Sequence, residues 1–219
     1  MNAALGGRAV VSTAPDVKCG IRGTHVTVRI HGQQEGADSP HAEHTHGGAS
    51  AAEIMAFLDA APLSRPVREN ARAVYACLLD AESAVHGCAV EQVHFHEVGA
   101  LDSILDICMA CVLFTRLSPA RFVVSPLPIA DGEVVCAHGV IPVPAPAVLE
   151  LLEGIPVRPF SGEGETVTPT AIALLRSLGA TFGPWPAMLV EKRALVYGSR
   201  VFANAPNGTI FACGTELEG

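Results

Sequence analysis

Apolar and polar residues alternate near the two ends of the chain and recur every three or four positions in its middle, so the sequence predicts strands outside and helices between. Ala9-Val10-Val11 and Thr24 to Ile30 read as two short strands, with Gly20 and Gly23 punctuating their connection. Ala187 to Lys192 and Thr209 to Cys213, joined by a Gly/Pro/Asn-containing connection, form a weak echo of that pair at the far end.

His31 to Ser50 is polar and Gly-rich, carries His41, His44 and His46, and has no hydrophobic period, which predicts a mobile linker. Glu53 to Ala60 gives a short helix. Ser64 can cap a longer one in which Val67, Ala71, Val74, Leu78, Ala81 and Val85 alternate spacings of four and three until Gly87. Val90 to Val98 alternates as a strand, and Asp102 to Leu117 is apolar on nearly every face, the pattern of a buried helix. A strand at Phe122 to Ser125, a Pro-rich passage, a helix near Ala145 to Leu152 and a last helix from Thr168 to Leu178 follow. This mixture predicts an α/β fold, with α+β as the alternative: a mixed sheet, packed helices and a flexible His-rich linker. The expected domains are an N-terminal strand pair at 1–31, the linker at 32–50 and a main α/β domain at 51–219.

Composition narrows the function. With 49% hydrophobic and 16% charged residues the chain can bury a substantial core. A net charge of −8 and the absence of any Lys/Arg block argue against nucleic acid as a partner. The longest apolar run, Ile107 to Phe114, falls far short of the roughly 20 residues that cross a bilayer, and Met1 to Val11 has no signal-peptide core, so a cytoplasmic protein without a membrane partner is expected. Cys19, Cys77, Cys88, Cys108, Cys111, Cys136 and Cys213 are scattered and odd in number, which reads as reduced thiols.

The candidate chemistry lies between residues 82 and 106. His94 and His96, two apart on an expected strand, point to one face, and Glu97 follows them. Glu82 and His86 share one side of the preceding helix. Asp102 and Asp106 lie one turn apart on an apolar helix, where a carboxylate is costly without a cation or donor. Imidazoles and carboxylates together suit nickel, zinc, manganese or magnesium. The bland alternatives are that Asp102 caps its helix and His86 answers its helix dipole.

Weaker signals surround this cluster. His41, His44 and His46 could pass a divalent cation to it, with a solvated linker as the equal alternative. The Cys108-x-x-Cys111 pair reads as packing, and Cys136 with His138 could bind metal or bracket a substrate. Thr168 and Thr170 flank Pro169 at a helix start, where free N–H groups and two hydroxyls could hold a phosphate, plain capping being the alternative.

The run Val93-His94-Phe95-His96-Glu97-Val98-Gly99-Ala100-Leu101-Asp102-Ser103-Ile104 closely resembles the signature of the LarC family of nickel insertion proteins. The likeness extends to Ser125-Pro126-Leu127-Pro128, to Cys136 through Pro146, and to Val167-Thr168-Pro169-Thr170-Ala171. The resemblance implies insertion of Ni2+ into a pyridinium bis-thiocarboxylate mononucleotide during synthesis of the nickel-pincer cofactor. That reaction makes a carbon–nickel bond and two sulfur–nickel bonds with hydrolysis of CTP, so the enzyme class implied is a CTP-dependent cyclometallase, a lyase.

On that reading His94, His96, Glu97 and Asp102, with Glu82 and His86 beside them, bind nickel or an accessory Mg2+ or Mn2+. Thr168 and Thr170 receive the mononucleotide phosphate, and Glu97 or Asp106 accepts the proton that the ring carbon releases. The chain departs from the family pattern at three places. The sequence given begins near the segment that follows the family's Asp-Cys-Phe-Ser-Gly-type strand and helix, it stops at Gly219 where members usually continue into a domain associated with CTP, and Arg193 to Arg200 stand where a Gly-Tyr-Gly-type turn is expected. The expectation is therefore an N-terminal-type module whose CTP site is supplied through a CTP-binding partner domain, with homo-oligomer formation left open. Two alternatives remain: a non-catalytic nickel-binding or delivery protein, and a divalent-metal-dependent hydrolase.

Overall fold

The structure, a computed structural model, describes residues 9–30, 33–34, 49–95, 99, 101–136, 139–198, 202, 205 and 207–217. The chain divides into two compact units, Met1–His44 with Pro186–Gly219, and Thr45–Trp185. Helix and strand are mixed through it, as an α/β fold requires.

The first unit opens with an antiparallel hairpin. Strand β1 (Ala9–Lys18) pairs residue for residue with β2 (Ile21–Ile30), and the two-residue β3 (Gln33–Gln34) adds to β2. The first strand is much longer than the Ala9-Val10-Val11 expected, because ladder pairing carries it through Pro15 and Asp16, residues with low strand preference. The turn needs left-handed backbone, which Gly20 supplies at φ 75° and Cys19 adopts at φ 49°.

The second unit begins with β4 (Ala49–Ser50) and α1 (Ala51–Ala60), followed by α2 (Arg65–His86). Ser50 caps α1 through a capping box. Its hydroxyl accepts from Glu53 N–H at 3.3 Å, while its own N–H and hydroxyl donate to Glu53 Oε2 at 2.8 and 2.7 Å. Helix α2 matches the periodic stripe closely, with Val67, Ala71, Val74, Leu78 and Ala81 buried and Gly87 ending it at φ 62°. Ser64 stands at its N-cap but makes no side-chain cap bond; Pro66 in the first turn fixes the entry instead.

Next come β5 (His94–Phe95) and α3 (Leu101–Leu117). The strand expected over Val90 to Val98 is a short 3₁₀ turn at Val90–Gln92 followed by the two residues of β5. Val93 N–H bonds back to Val90 O at 3.2 Å, which closes the turn, and the alternation becomes real only from buried Val93 to buried Phe95. Helix α3 buries Ile104, Leu105, Ile107, Cys108 and Cys111 but leaves Leu113 and Leu117 exposed, so it is one-sided rather than buried all round.

Short strands and helices complete the unit. These are β6 (Val123–Val124), β7 (Leu127–Asp131), β8 (Glu133–Cys136), β9 (Gly139–Pro142), α4 (Pro146–Leu151), β10 (Val157–Glu163), α5 (Pro169–Ser177) and β11 (Thr181–Phe182). Strands β7 with β10 and β6 with β11 pair in parallel, β8 with β9 and β4 with β5 antiparallel. All four other helices pack around α2 or its neighbours, and Tyr75, Leu78, Ile54, Leu58, Ile107, Val148 and Ile172 form the core they share.

The chain then returns to the first unit as β12 (Met188–Tyr197) and β13 (Gly208–Glu216), an antiparallel pair whose β12 lies parallel to β2. The echo between the two ends of the sequence is thus a shared sheet, in the order β1-β2-β12-β13. This departs from the expected 51–219 domain: ladder hydrogen bonds between Val196-Tyr197 and Thr24-His25 group the last strands with the first. Tyr197 anchors the arrangement. Its hydroxyl donates to Ile21 O at 2.8 Å, and its ring leaves no room for a Cβ at Gly23 or Gly208.

Candidate functional site

Strand β5 and the start of α3 are drawn together by glycine. A Cβ at Gly99 would stand 2.9 Å from Phe95 Cβ and 3.0 Å from Ala49 Cβ, so only a residue without a side chain lets the chain pass this close to β4 and β5. Phe95 is buried and meets Tyr75 of α2 edge-on, ring centroids 6.0 Å apart at 67°. Strand β5, helix α2 and the first turns of α3 therefore meet around one aromatic pair.

His94, the neighbour of Phe95, is exposed and pairs in register with Ser50. Its imidazole also faces the charge of Glu53. The Glu53 carboxyl is held below the usual carboxylate range, first by the Ser50 N–H, then by the Ser50 hydroxyl, with His94 adding to both. Asp102, in the first turn of α3, is half-buried, and its Oδ1 is buried with no hydrogen-bond partner. Such an atom lacks compensation that a cation or a donor would supply. Asp106, one turn on, is exposed to solvent on one side, yet the packing around its carboxyl and the nearby charge of Asp102 push its pKa up to about 6.

Tyr75 was missed by the sequence reading. It is fully buried, and burial together with the charges of Cys108 and Asp102 raises its phenol pKa, so the hydroxyl stays protonated beside the α3 carboxylate. The signal was present: Tyr75 stands four residues after Ala71 and three before Leu78, inside the buried stripe. Glu53 was missed as a neighbour of His94, though Ser50-Ala51-Ala52-Glu53 is a capping-box pattern.

The remaining expected residues are placed as follows. Glu82 and His86 pair with each other at 3.4 Å near the end of α2. Thr168 caps α5 by accepting from Ala171 N–H at 3.3 Å, and Thr170 is half-buried in the first turn. Cys108 and Cys111 are buried, which pushes their thiols up to about 11 and about 12 and makes them poor nucleophiles and ligands. His41, His44, His46, His96, Glu97 and His138 lie outside the described residues. Among the described residues no three His, Cys, Asp or Glu side chains converge as a metal cage, and no helix is long and apolar enough to cross a membrane.

Comparison with known proteins supplies a frame for this geometry. The profile of a family described as "Nickel insertion protein" matches residues 2–215. A pyridinium-3,5-bisthiocarboxylic acid mononucleotide nickel insertion protein of Geobacillus kaustophilus is 37% identical over 200 residues, 91% of this chain and 48% of the relative. A protein of the same name from Desulfitobacterium hafniense is 39% identical over 185 residues, 84% of this chain and 42% of the relative. The chain thus spans a little under half the length of the curated relatives it matches. No solved structure matches it.

Proposed function

The chain belongs to the nickel insertion protein family, and we propose that it carries the metal-handling part of nickel insertion into a pyridinium bis-thiocarboxylate mononucleotide. Nickel is the cargo here, so its site has to bind and then release. The observation that supports this reading is the buried, unpartnered Oδ1 of Asp102, set beside a protonated Tyr75 hydroxyl and one tight glycine turn away from His94. His94, His96, Glu97 and Asp102 supply the borderline and hard donors that nickel accepts, Glu82 and His86 extend the set, and Mg2+ or Mn2+ serves as an accessory ion.

Replacing a ring hydrogen by nickel liberates a proton. Asp106 is one candidate acceptor, since a carboxylate whose pKa stands near 6 holds a proton more firmly than an ordinary one while still being ionised at pH 7. Glu97 is the second candidate. The Thr168 and Thr170 end of α5 receives the phosphate, CTP is handled through a partner domain, and the protein works in the cytoplasm. The free thiols at Cys19, Cys77, Cys88, Cys108, Cys111 and Cys213 suit that compartment.

Nickel calorimetry tests the reading on the wild-type chain, on His94→Ala/His96→Ala and on a variant lacking His41, His44 and His46. Loss of at least tenfold in affinity in the strand variant, with the linker variant unchanged, is expected. Unchanged binding in both removes the metal centre from this cluster. Loss in the linker variant alone makes the chain a delivery protein, and phosphatase turnover with manganese that disappears in Glu97→Gln makes it a hydrolase.

A further inference from the structure

An open strand edge pairs with another strand unless something stops it, because its unpaired N–H and C=O groups form a ready template. The sheet unit ends in two such edges, β1 and β13. Among the described residues β1 pairs with β2 alone and β13 with β12 alone. The two edges differ in what guards them. Strand β1 carries Pro15, which has no N–H to offer, and the charges of Asp16 and Lys18. Strand β13 has no such guard from Gly208 to Gly214, a run of Gly-Thr-Ile-Phe-Ala-Cys-Gly without charge or proline and with several strong strand formers. The irregularity in its ladder lies on β12, between Val190 and Lys192, and leaves β13 unbroken. Ile210 is 66% and Phe211 51% exposed, and as strand neighbours they point to opposite faces, so the edge is open on both.

Charge narrows what this edge suits. Residues 1–44 and 186–219 hold seven Lys/Arg and seven Asp/Glu, so the sheet unit is formally neutral and the whole net charge of −8 belongs to residues 45–185. The uncharged run gives neither an acidic nor a basic partner anything to recognise, and it does not repel a copy of itself. Identical strands paired antiparallel are related by a two-fold axis, the commonest symmetry among homo-oligomers. An axis at Phe211 sets the two Phe211 rings against each other, Ile210 opposite Ala212, Thr209 opposite Cys213 and Gly208 opposite Gly214. An axis at Ala212 instead brings Glu216 opposite Gly208 and Ile210 opposite Gly214, and the aromatic pair is lost.

We propose that β13 is the dimerisation edge of this chain, pairing antiparallel with β13 of a second copy about a two-fold axis at Phe211, so that the two sheets join into one. The seam is a single strand pair, at the small end of specific interfaces (below about 1,200 Å²), so the dimer dissociates on dilution. It stands on the sheet unit alone and is independent of the nickel reading.

Sedimentation velocity on the full chain is the test, with a reductant present because Cys19 and Cys213 are exposed thiols. Dimer is expected at about 100 µM, giving way to monomer on roughly hundredfold dilution. Phe211→Lys and Phe211→Glu each set like charges across the axis and are expected to weaken association at least tenfold. An equimolar mixture of the two restores the dimer, which a misfolded sheet could not do. Val17→Lys, at an exposed position of β1, leaves association unchanged. Hydrogen exchange at high and low concentration is expected to show the added protection on β13. A chain that stays monomeric, a dimer indifferent to Phe211→Lys, a mixture that fails to restore it, or a dimer lost in Val17→Lys alone overturns the proposal. So does a monomer whose β13 amides gain protection only when a CTP-binding partner domain is added, which gives the edge to that domain.

Discussion

The two units of this chain are held together in opposite ways. In the unit spanning Thr45–Trp185, Tyr75, Leu78, Ile54, Ile107 and Ile172 belong to one continuous buried cluster. In the sheet unit, Tyr197 and Phe202 are the buried side chains among the described residues, while Val17, Val26, Ile210 and Phe211 face outward. Burial of apolar area dominates the first, whereas ladder hydrogen bonds and a single ring wedged between two glycines dominate the second. Loss of one side chain should therefore be absorbed differently in the two units.

The largest effect expected is in the sheet. Tyr197→Ala removes a buried ring and its bond to Ile21 O, at a cost of about 3–5 kcal/mol. With no buried residue of β1, β2 or β13 among the described residues to take over, amide exchange should accelerate along β2 and β12 while α2 stays protected. Leu78→Ala, costing about 2–5 kcal/mol, should instead loosen its unit as a whole, because Leu78 belongs to one buried cluster to which all five helices contribute. Hydrogen exchange followed residue by residue checks both, and an even loss of protection over the sheet and helical units in Tyr197→Ala would break the contrast.

The same contrast explains what could be read from the sequence. Helix α2 was legible to within a residue at each end, since its stripe repeats over five turns and Gly87 closes it. Strand β1 was not: Ala14 to Asp16 has little strand preference of its own and is extended because β2 lies alongside. The grouping of β12 with β2 was likewise hidden, since pairing across 170 residues leaves only the faint likeness of two strand pairs. At the site, the local His94-x-His96-Glu97 and Asp102-x-x-x-Asp106 spacings could be read directly. The burial of Tyr75 was also legible in the α2 stripe, but its relation to Asp102 was not, because it depends on how α2 packs against α3.

The carboxylates near His94 extend the comparison to smaller energies. Ser50→Ala deletes the hydroxyl that both accepts from Glu53 N–H and donates to its carboxylate, at a cost of about 1 kcal/mol in α1. Glu53 has a lowered pKa in the folded chain, so its contribution is present above the unfolded value near 4.5 and is lost as pH falls through the folded value. The stability gap between wild type and Ser50→Ala should accordingly shrink on acidification below pH 4.5. Thermal melts at a series of pH values measure the gap, and a gap independent of pH would show that the carboxylate takes no part in the cap.

Asp106 should behave with the reverse sign and the smallest amplitude. Its pKa rises from 3.8 to about 6 on folding, so between those values the folded chain binds more protons than the unfolded one. Stability from this group is complete below pH 3.8 and disappears as pH climbs through about 6. Asp106→Asn removes the dependence: the variant should gain on wild type as pH rises from 4 to 7 and hold a constant advantage above that. The residue is exposed, so solvent screens the effect and the gain is a fraction of what a fully enclosed carboxylate would give. If Asp106 also accepts the ring proton, the variant that melts higher should insert nickel more slowly. Such a trade of stability against chemistry marks a strained functional carboxylate, and a variant that is both more stable and equally active would return Asp106 to an ordinary place on α3.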